Sequence, residues 1–339
     1  MTTKEVLDLA KGNMGEHCKA CYICNGMACK NAMPGPGAKG LGGGAIRNYQ
    51  KWQEICVNMD TICENNPVDT SFTLFGKTFK IPVFAGPVGA MQLHYGTKYT
   101  DMEYNDILVS GCAKAGILAF TGDGTNPDIV KAAAKALKAA DGCGIPTIKP
   151  WNTSTIEEKM ALVKEADPLA IAMDIDGAGL PFLKNLTPPA GSKTVEELKE
   201  IAVMCGKPFI LKGIMTVKGA LKAVEAGASA IVVSNHGGRV LDQCPSTAEV
   251  LPSIVEAVGG KIKILVDGGI RTGVDVFKAL ALGADGVIIA RNFVNMVYGA
   301  GAEGIQVYVD QLKSELEDTM TMCGAHSLDE IDSSMIFRP

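Results

Sequence analysis

The sequence predicts an eight-stranded (β/α)8 TIM barrel that carries an N-terminal extension rich in Cys and Gly. Segments with apolar residues at helical spacing, such as 217–226 and 273–282, are each followed by a Gly that can end a helix. Strands that alternate with helices predict a parallel sheet, and eight of them predict a closed barrel. The eight short apolar runs that predict the strands lie at 81–88, 116–122, 145–151, 169–176, 208–213, 230–234, 262–269 and 286–291.

Length and composition agree with one barrel and a short appendage. The chain has 339 residues, of which 47% are hydrophobic, so it can bury one large core. We divide it into an extension with a loop over the barrel mouth, residues 1–75, and the barrel with its closing helices, residues 76–339. The loop is the stretch 34–44, which contains too much Gly to form a packed element.

Charge and hydropathy restrict the location and the partners. A net charge of −5 with dispersed Lys and Arg argues against nucleic acid or an anionic membrane as a partner. The apolar stretches are strand-sized, and the N-terminal residues lack a basic segment followed by an apolar one. We therefore expect a cytoplasmic protein that acts on a small molecule.

The residues that follow each apolar run form the candidate site, because barrels of this kind carry their chemistry at the C-terminal ends of the strands. The sixth run ends in Ser234-Asn235-His236-Gly237-Gly238-Arg239. His236 offers a base, and Arg239 offers a planar cation for a carboxylate or phosphate. A lone His at a strand end is more often structural. This chain has only four His, however, and this one stands beside a Gly pair with no packing value in a strand.

The last two strand ends predict a phosphate site. The residues at the ends of the seventh and eighth runs are Asp267, Gly268, Gly269, Arg271, Ala290 and Arg291. Barrels commonly hold a phosphate at this position, through backbone amides and cations. The alternative is that the Gly pair only makes a tight turn, which leaves two Arg at strand ends unexplained.

These segments resemble the FMN-dependent 2-hydroxy-acid oxidases and dehydrogenases, the lactate oxidase and glycolate oxidase family. The likeness extends from about Phe75 to Ile336 and is densest after Pro208. The resemblance implies an FMN enzyme that oxidises an (S)-2-hydroxy acid to the 2-oxo acid. It also implies a homo-oligomer, since members of the family often form tetramers. The segments that carry the likeness are 212–214, 234–239, 265–271, 275–284 and the closing stretches 302–304, 315–320 and 327–328.

The resemblance also implies a role for each matching residue. His236 is expected to accept a proton from the substrate, Asp176 to orient it, and Arg239 to hold the substrate carboxylate. Lys212 is expected at the pyrimidine edge of the flavin, where a cation favours the reduced form. The other implied cofactor contacts are Pro87, Val88, Gly89, Thr121, Lys149, Ser234, Asp267, Gly268, Gly269, Arg271, Ala290 and Arg291.

Two departures from the family pattern concern the strands. The Gln-x-Tyr that follows the third strand in the family is replaced by Lys149-Pro150-Trp151, and we expect Trp151, with Met91 and Phe182, to form the wall of the substrate site. Asp174 replaces a Thr inside the fourth strand. Its carboxylate is expected to repel small anionic substrates, so lactate and glycolate are predicted to be poor ones.

Two further departures concern the loops. The family's second substrate Arg has no counterpart in residues 177–183, and the Tyr of the N-terminal segment has only Tyr22 and Tyr49 as candidates. These losses keep two other flavin-barrel activities open, an isomerase that uses reduced FMN as an acid–base and an iron–sulfur-linked reductase. A flavin-binding sensor or scaffold is disfavoured, because it needs no His and Arg together at the flavin.

The extension holds a second candidate site, Cys18-x2-Cys21-x2-Cys24-x4-Cys29. Four of the 11 Cys of the chain crowd into this segment, which in an intracellular protein favours a metal over disulfides. Zinc on four thiolates and an iron–sulfur cluster both stay open, since the last gap is four residues and no Pro follows Cys29. The alternatives are half-buried residues without metal, or a redox pair of Cys24 and Cys29.

Overall fold

The computed structural model describes residues 1–180, 183, 185 and 190–338, and the chain begins with an extension that packs onto the barrel. Its first helix opens on a capping box, in which Thr2 and Glu5 bond to each other's backbone N–H groups. Residues 12–42, between the first two helices, form turns and bends but no helix or strand. The elements of the extension are α1 (Thr3–Lys11), α2 (Gly43–Glu54), β1 (Cys56–Val57), β2 (Phe72–Leu74) and β3 (Lys77–Phe79).

Eight parallel strands close into a barrel, in which every strand pairs with its neighbours along the chain and the last pairs with the first. They are β4 (Val83–Ala85), β5 (Ala119–Thr121), β6 (Gly144–Ile148), β7 (Ile171–Asp174), β8 (Phe209–Ile214), β9 (Ala230–Val233), β10 (Lys263–Asp267) and β11 (Gly286–Ile289). Each strand overlaps one of the eight predicted runs. The prediction of a (β/α)8 barrel is confirmed.

Helices alternate with the strands, and most of them cover the outside of the barrel. They are α3 (Met91–Tyr95), α4 (Asp101–Lys114), α5 (Pro127–Ala139), α6 (Thr153–Lys164), α7 (Val195–Cys205), α8 (Val217–Glu225), α9 (Thr247–Val258), α10 (Gly273–Ala281) and α11 (Arg291–Cys323). The backbone of α11 is broken at Ala300 and Gly301, and β12 (Ile336–Phe337) then pairs antiparallel with β1. Within the described residues, no helix combines the length and apolar character needed to span a bilayer.

Side chains along each barrel strand alternate between the interior and the helix layer. On β4, Phe84 packs inside the barrel, where the ring of Phe79 from the β2–β3 hairpin meets it edge-on at 5.2 Å. The hairpin therefore plugs the N-terminal end, and the expected boundary between residues 75 and 76 falls in its turn. At the other end several strands place polar side chains in the interior, among them Lys149, Asp174 and Lys212, and these line the cavity of the barrel mouth.

Candidate active site

A cavity of about 770 Å³ opens at the C-terminal ends of the barrel strands. This volume lies in the usual range of small-molecule and cofactor sites, roughly 300–1,000 Å³. The structure brings together residues predicted from separate strand ends. Those that line the cavity are Pro87, Val88, Gly89, Lys149, Lys212, His236, Arg239, Asp267, Gly268, Gly269, Arg271, Ala290 and Arg291.

The Gly-rich loop of the extension lies over this cavity, as the sequence predicts. Pro34 and Pro36 contribute to the lining. The guanidinium of Arg239 donates through Nη1 to the carbonyl of Gly35, and at 3.2 Å to that of Gly37. The loop therefore positions one of the predicted catalytic side chains.

His236 and Asp176 form the acid–base pair of the site. Nδ1 of His236 lies 3.1 Å from a carboxylate oxygen of Asp176, which leaves Nε2 for a ligand. The sequence predicts Asp176 inside the fourth barrel strand. In the structure it lies just beyond β7, in the short 3-10 turn Ile175–Gly179. His236 has a φ of 57°, a left-handed conformation that is rare and costly for a residue other than Gly, and such strain is concentrated at functional sites.

The charge state of Asp176 follows from its neighbours. Burial alone would raise the pKa of this carboxyl group, but His236 and Lys212 favour its charged form more strongly, so its pKa is lowered. Asp176 is therefore a carboxylate that can stabilise a protonated His236.

Lys212 is a buried cation fixed by two neighbouring strands. Its Nζ donates to the hydroxyl of Ser234 at 2.9 Å and lies 3.4 Å from the carboxylate of Asp267. Burial alone would lower the pKa of Lys212, but the carboxylates of Asp267, Asp176 and Asp174 together raise it. Ser234 therefore contacts Lys212 and does not itself line the cavity, although it was predicted as a cofactor contact.

Asp174 forms an ion pair. The expectation that it repels anionic substrates assumes an unpaired carboxylate, and that assumption is wrong. Nζ of Lys149, on the adjacent strand, lies 2.8 Å from the Asp174 carboxylate, and both side chains are buried. The charge of Lys149 balances that of Asp174. A small carboxylate in the cavity therefore meets a neutral pair.

Trp151 does not form the wall of the substrate site. Its indole is buried and is not part of the cavity lining, and it donates at 2.6 Å to Asp123, which does line the cavity. Asp123 also accepts bonds from the backbone N–H of Lys149, at 2.9 Å, and from Nζ of Lys159. Trp151 thus belongs to a buried network that supports the end of β6.

Thr121 and Met91 also differ from expectation. Thr121 follows Phe120 on β5, and because Phe120 fills the barrel interior, Thr121 faces the helix layer and does not line the cavity. Met91 is buried in the core. Phe182, predicted as a third wall residue, lies outside the described residues.

His94 and Tyr95 line the cavity instead, and sequence reasoning missed them. They follow the first barrel strand, on α3, where the sequence analysis singled out only Met91. Neither Tyr22 nor Tyr49 reaches the cavity, and Tyr22 is an exposed side chain. Tyr95 is therefore the tyrosine that the described residues place at the site.

Two buried amides join the extension to the His236 loop. Asn48 and Asn235 exchange two hydrogen bonds of 2.7 and 2.9 Å between their side chains. Trp52, one helical turn beyond Asn48, donates its indole N–H to the carbonyl of Gly268 at 2.8 Å. These contacts join residues about two hundred positions apart, and no local sequence motif predicts them.

His94 gives the fold a pH dependence that can be measured. Burial lowers the pKa of His94 to about 4, and the nearby charges of Arg239 and Lys149 add to the effect. An unfolded His titrates near 6.5, so the unfolded chain binds the proton first as the pH falls. The free energy of unfolding should therefore drop between about pH 6.5 and pH 4, by up to about 3 kcal/mol from this residue. Urea unfolding across this range should show the parent losing stability relative to His94→Gln as the pH falls. A constant difference would contradict it.

The chemistry of the cavity fits FMN. Three side chains that line it have a buried oxygen without a hydrogen-bond partner, namely Thr147, Asp174 and Asp267, as expected where a polar ligand completes a site. Gly268 has a φ of 85°, and a Cβ there would lie 2.8 Å from the Asn48 amide. Fold and site together define a barrel that binds a phosphorylated redox cofactor beside an acid–base pair.

Comparison with known proteins identifies the family. The model of the FMN-dependent dehydrogenases matches residues 36–181 and 182–338. A peroxisomal (S)-2-hydroxy-acid oxidase of Oryza sativa subsp. japonica is 30% identical over 351 residues, 91% of this chain and 93% of that protein. An L-lactate dehydrogenase of Caulobacter sp. (strain K31) is 45% identical over 129 residues, 38% of this chain and 34% of that protein. The chain belongs to the FMN-dependent dehydrogenase family.

Solved structures show the same fold. An (S)-mandelate dehydrogenase, described as a monotopic membrane protein, superposes with a TM-score of 0.81 at 16% identity over 100% of this chain and 99% of that one. A mandelate oxidase variant with (S)-mandelic acid gives 0.78 at 24% identity over 97% and 96%. The predicted family and the FMN-dependent oxidoreductase class are confirmed, and the isomerase and reductase alternatives are not favoured.

Proposed function

We propose that this protein oxidises the α-carbon of an (S)-2-hydroxy acid to the 2-oxo acid, with FMN bound in the barrel mouth. One observation carries the proposal: the His236–Asp176 pair and Arg239 share a cavity with the predicted phosphate site. When bound, FMN supplies the acceptor for the electron pair that leaves the substrate. The rest of the reaction depends on side chains of this chain.

The cofactor contacts follow from the cavity lining. Gly268, Gly269, Arg271 and Arg291 would hold the phosphate, through backbone N–H groups and two cations. Residues 87–89 would lie along the flavin. Lys212 would face its pyrimidine edge, and its contacts with Asp267 and Ser234 support this role because they fix the cation in place.

The proton transfer would use one nitrogen of His236. With Nδ1–H donating to Asp176, Nε2 is the free base that accepts the hydroxyl proton of the substrate. The low pKa of Asp176 keeps that residue charged, and its charge stabilises the imidazolium that forms.

Two side chains would hold the substrate carboxylate. The loop carbonyls engage Nη1 of Arg239, and a guanidinium has further N–H donors for a carboxylate. Tyr95 lies in the same cavity, and burial raises the pKa of its hydroxyl, so it remains a hydrogen-bond donor at neutral pH. The family resemblance implies a Tyr of the N-terminal segment at the substrate, which this chain lacks. We assign that role to Tyr95.

A panel of hydroxy acids tests the proposed function. Mixed anaerobically with the FMN-loaded protein in a stopped-flow instrument, the (S) enantiomers should bleach the flavin absorbance, whereas the (R) enantiomers and the 2-hydroxy amides should not. Lactate and glycolate should be among the substrates, because Lys149 neutralises Asp174. If no hydroxy acid reduces the flavin and a reduced nicotinamide does, the protein is a reductase.

Assembly and location are finer proposals. We propose a homo-oligomer, a tetramer by the family resemblance. The cytoplasmic location stays a prediction from composition, and several relatives are named as peroxisomal enzymes.

A further inference from the structure

The four crowded thiols of the extension form one site in the structure. Cys18, Cys21, Cys24 and Cys29 all line a single small cavity of about 20 Å³. All four are free thiols and half-buried, so no disulfide links Cys24 to Cys29. The grouping that their spacing predicts is therefore present in the fold.

The segment that carries these thiols has no regular secondary structure and is held to the barrel by loop contacts. Residues 12–42 form no helix or strand, and several of their apolar side chains face solvent, with Ile23 60% and Met27 62% exposed. A short segment without a core of its own is the setting in which a bound metal supplies folding free energy.

The thiol cavity adjoins the proposed flavin site. Pro36 and Arg291 line both cavities. Arg271, which lines the flavin cavity, donates through Nε to the backbone carbonyl of Cys24 at 2.8 Å. The two cavities therefore share part of their walls, and the thiols lie next to the place where FMN would bind.

The arrangement favours a polynuclear centre over a single ion. A tetrahedral zinc with Zn–S bonds of about 2.3 Å brings its sulfurs to about 4 Å from one another. The four Cys are not among the described groups whose ligand atoms lie within 4.8 Å of one another. A [4Fe–4S] cluster holds its four thiolates further apart, because each of them binds a different iron atom.

We propose that Cys18, Cys21, Cys24 and Cys29 bind an iron–sulfur cluster that carries electrons from the flavin to an external one-electron redox protein. This inference rests on the proposed function for its electron source. Oxidation of one hydroxy acid releases two electrons and two protons. The cluster passes the electrons one at a time, so two acceptor molecules are reduced for each 2-oxo acid formed, and both protons go to solvent.

Metal analysis of the anaerobically purified, FMN-containing protein tests the site. We expect about four iron atoms per chain with matching acid-labile sulfide, and an electron paramagnetic resonance signal after dithionite reduction. Less than about a tenth of an equivalent of iron, or one equivalent of zinc instead, would overturn the proposal. Neither measurement needs a substrate, so the result stands even if no hydroxy acid reduces the flavin.

Variants test the electron path. Cys21→Ser and Cys24→Ser should lose the iron, whereas Cys63→Ser, which changes an exposed thiol outside the cluster, should keep it. When the flavin of the cluster variants is first photoreduced, its reoxidation by cytochrome c should slow about tenfold or more, and this rate does not depend on how fast substrate reduces the variants. Iron loss with unchanged reoxidation would refute the relay.

If the variants fail to fold, the relay can still be tested on the parent protein. After mixing with substrate without an acceptor, the resonance signal of the reduced cluster should appear together with the bleaching of the flavin. A flavin that bleaches beside a cluster that stays oxidised would also refute the relay.

Discussion

Replacement of His236 by Ala should slow substrate-driven reduction of the bound flavin by roughly 10²-fold to 10⁴-fold, the usual contribution of a positioned general base. The reason is geometric, because Asp176 fixes Nδ1 and so directs Nε2 at the ligand. Anaerobic stopped-flow mixing with saturating hydroxy acid measures the rate directly. FMN content should be unchanged. His326→Ala is the matched control, since that His bonds at the surface to the carbonyl of Glu64.

The same experiment separates the base from its partner. Asp176→Asn should lower the rate by less than His236→Ala, because the imidazole remains and loses only its charged neighbour. If the His236 variant reduces flavin at the parent rate, another group takes the proton and the assignment fails.

Replacement of Arg291 by Glu should weaken FMN binding by about 10²-fold or more, since it removes a charge-assisted bond worth about 1.5–3 kcal/mol and places an anion beside the phosphate. Fluorescence titration of the flavin-free protein measures the dissociation constant. Riboflavin, which lacks the phosphate, should bind the variant and the parent alike. Arg338→Glu, an exposed change with the same charge difference, is the control.

The Arg291→Glu variant also tests the thiol cavity. Arg291 also lines the thiol cavity, so its iron content should be measured alongside FMN binding. Equal losses of affinity for FMN and riboflavin would show that Arg291 supports the structure and does not read the phosphate.

The barrel could be predicted because its strands are buried on both faces. Strands such as β7 and β9 are buried at every position, so they appear in the sequence as continuous apolar runs with polar residues at the end. His236, Arg239 and Lys212 were found for the same reason, since each follows or ends such a run.

The errors at the site have two physical causes. The first is the alternation along a strand, which turns Thr121 outward although it stands at a strand end. The second is distance along the chain. The partner of Trp151 is Asp123 and that of Asn235 is Asn48, and neither pairing has a local signature. Lys149 was likewise assigned to the cofactor without its partner Asp174.

The contact between Arg239 and the carbonyl groups of the Gly-rich loop joins residues 204 and 202 positions apart. The group proposed to grip the substrate is thus aimed by a segment that belongs to no strand or helix of the barrel. The catalytic centre is a joint product of two stretches of chain, and the barrel by itself is an incomplete enzyme. Changes in the loop can therefore tune substrate choice while the chemical machinery stays the same.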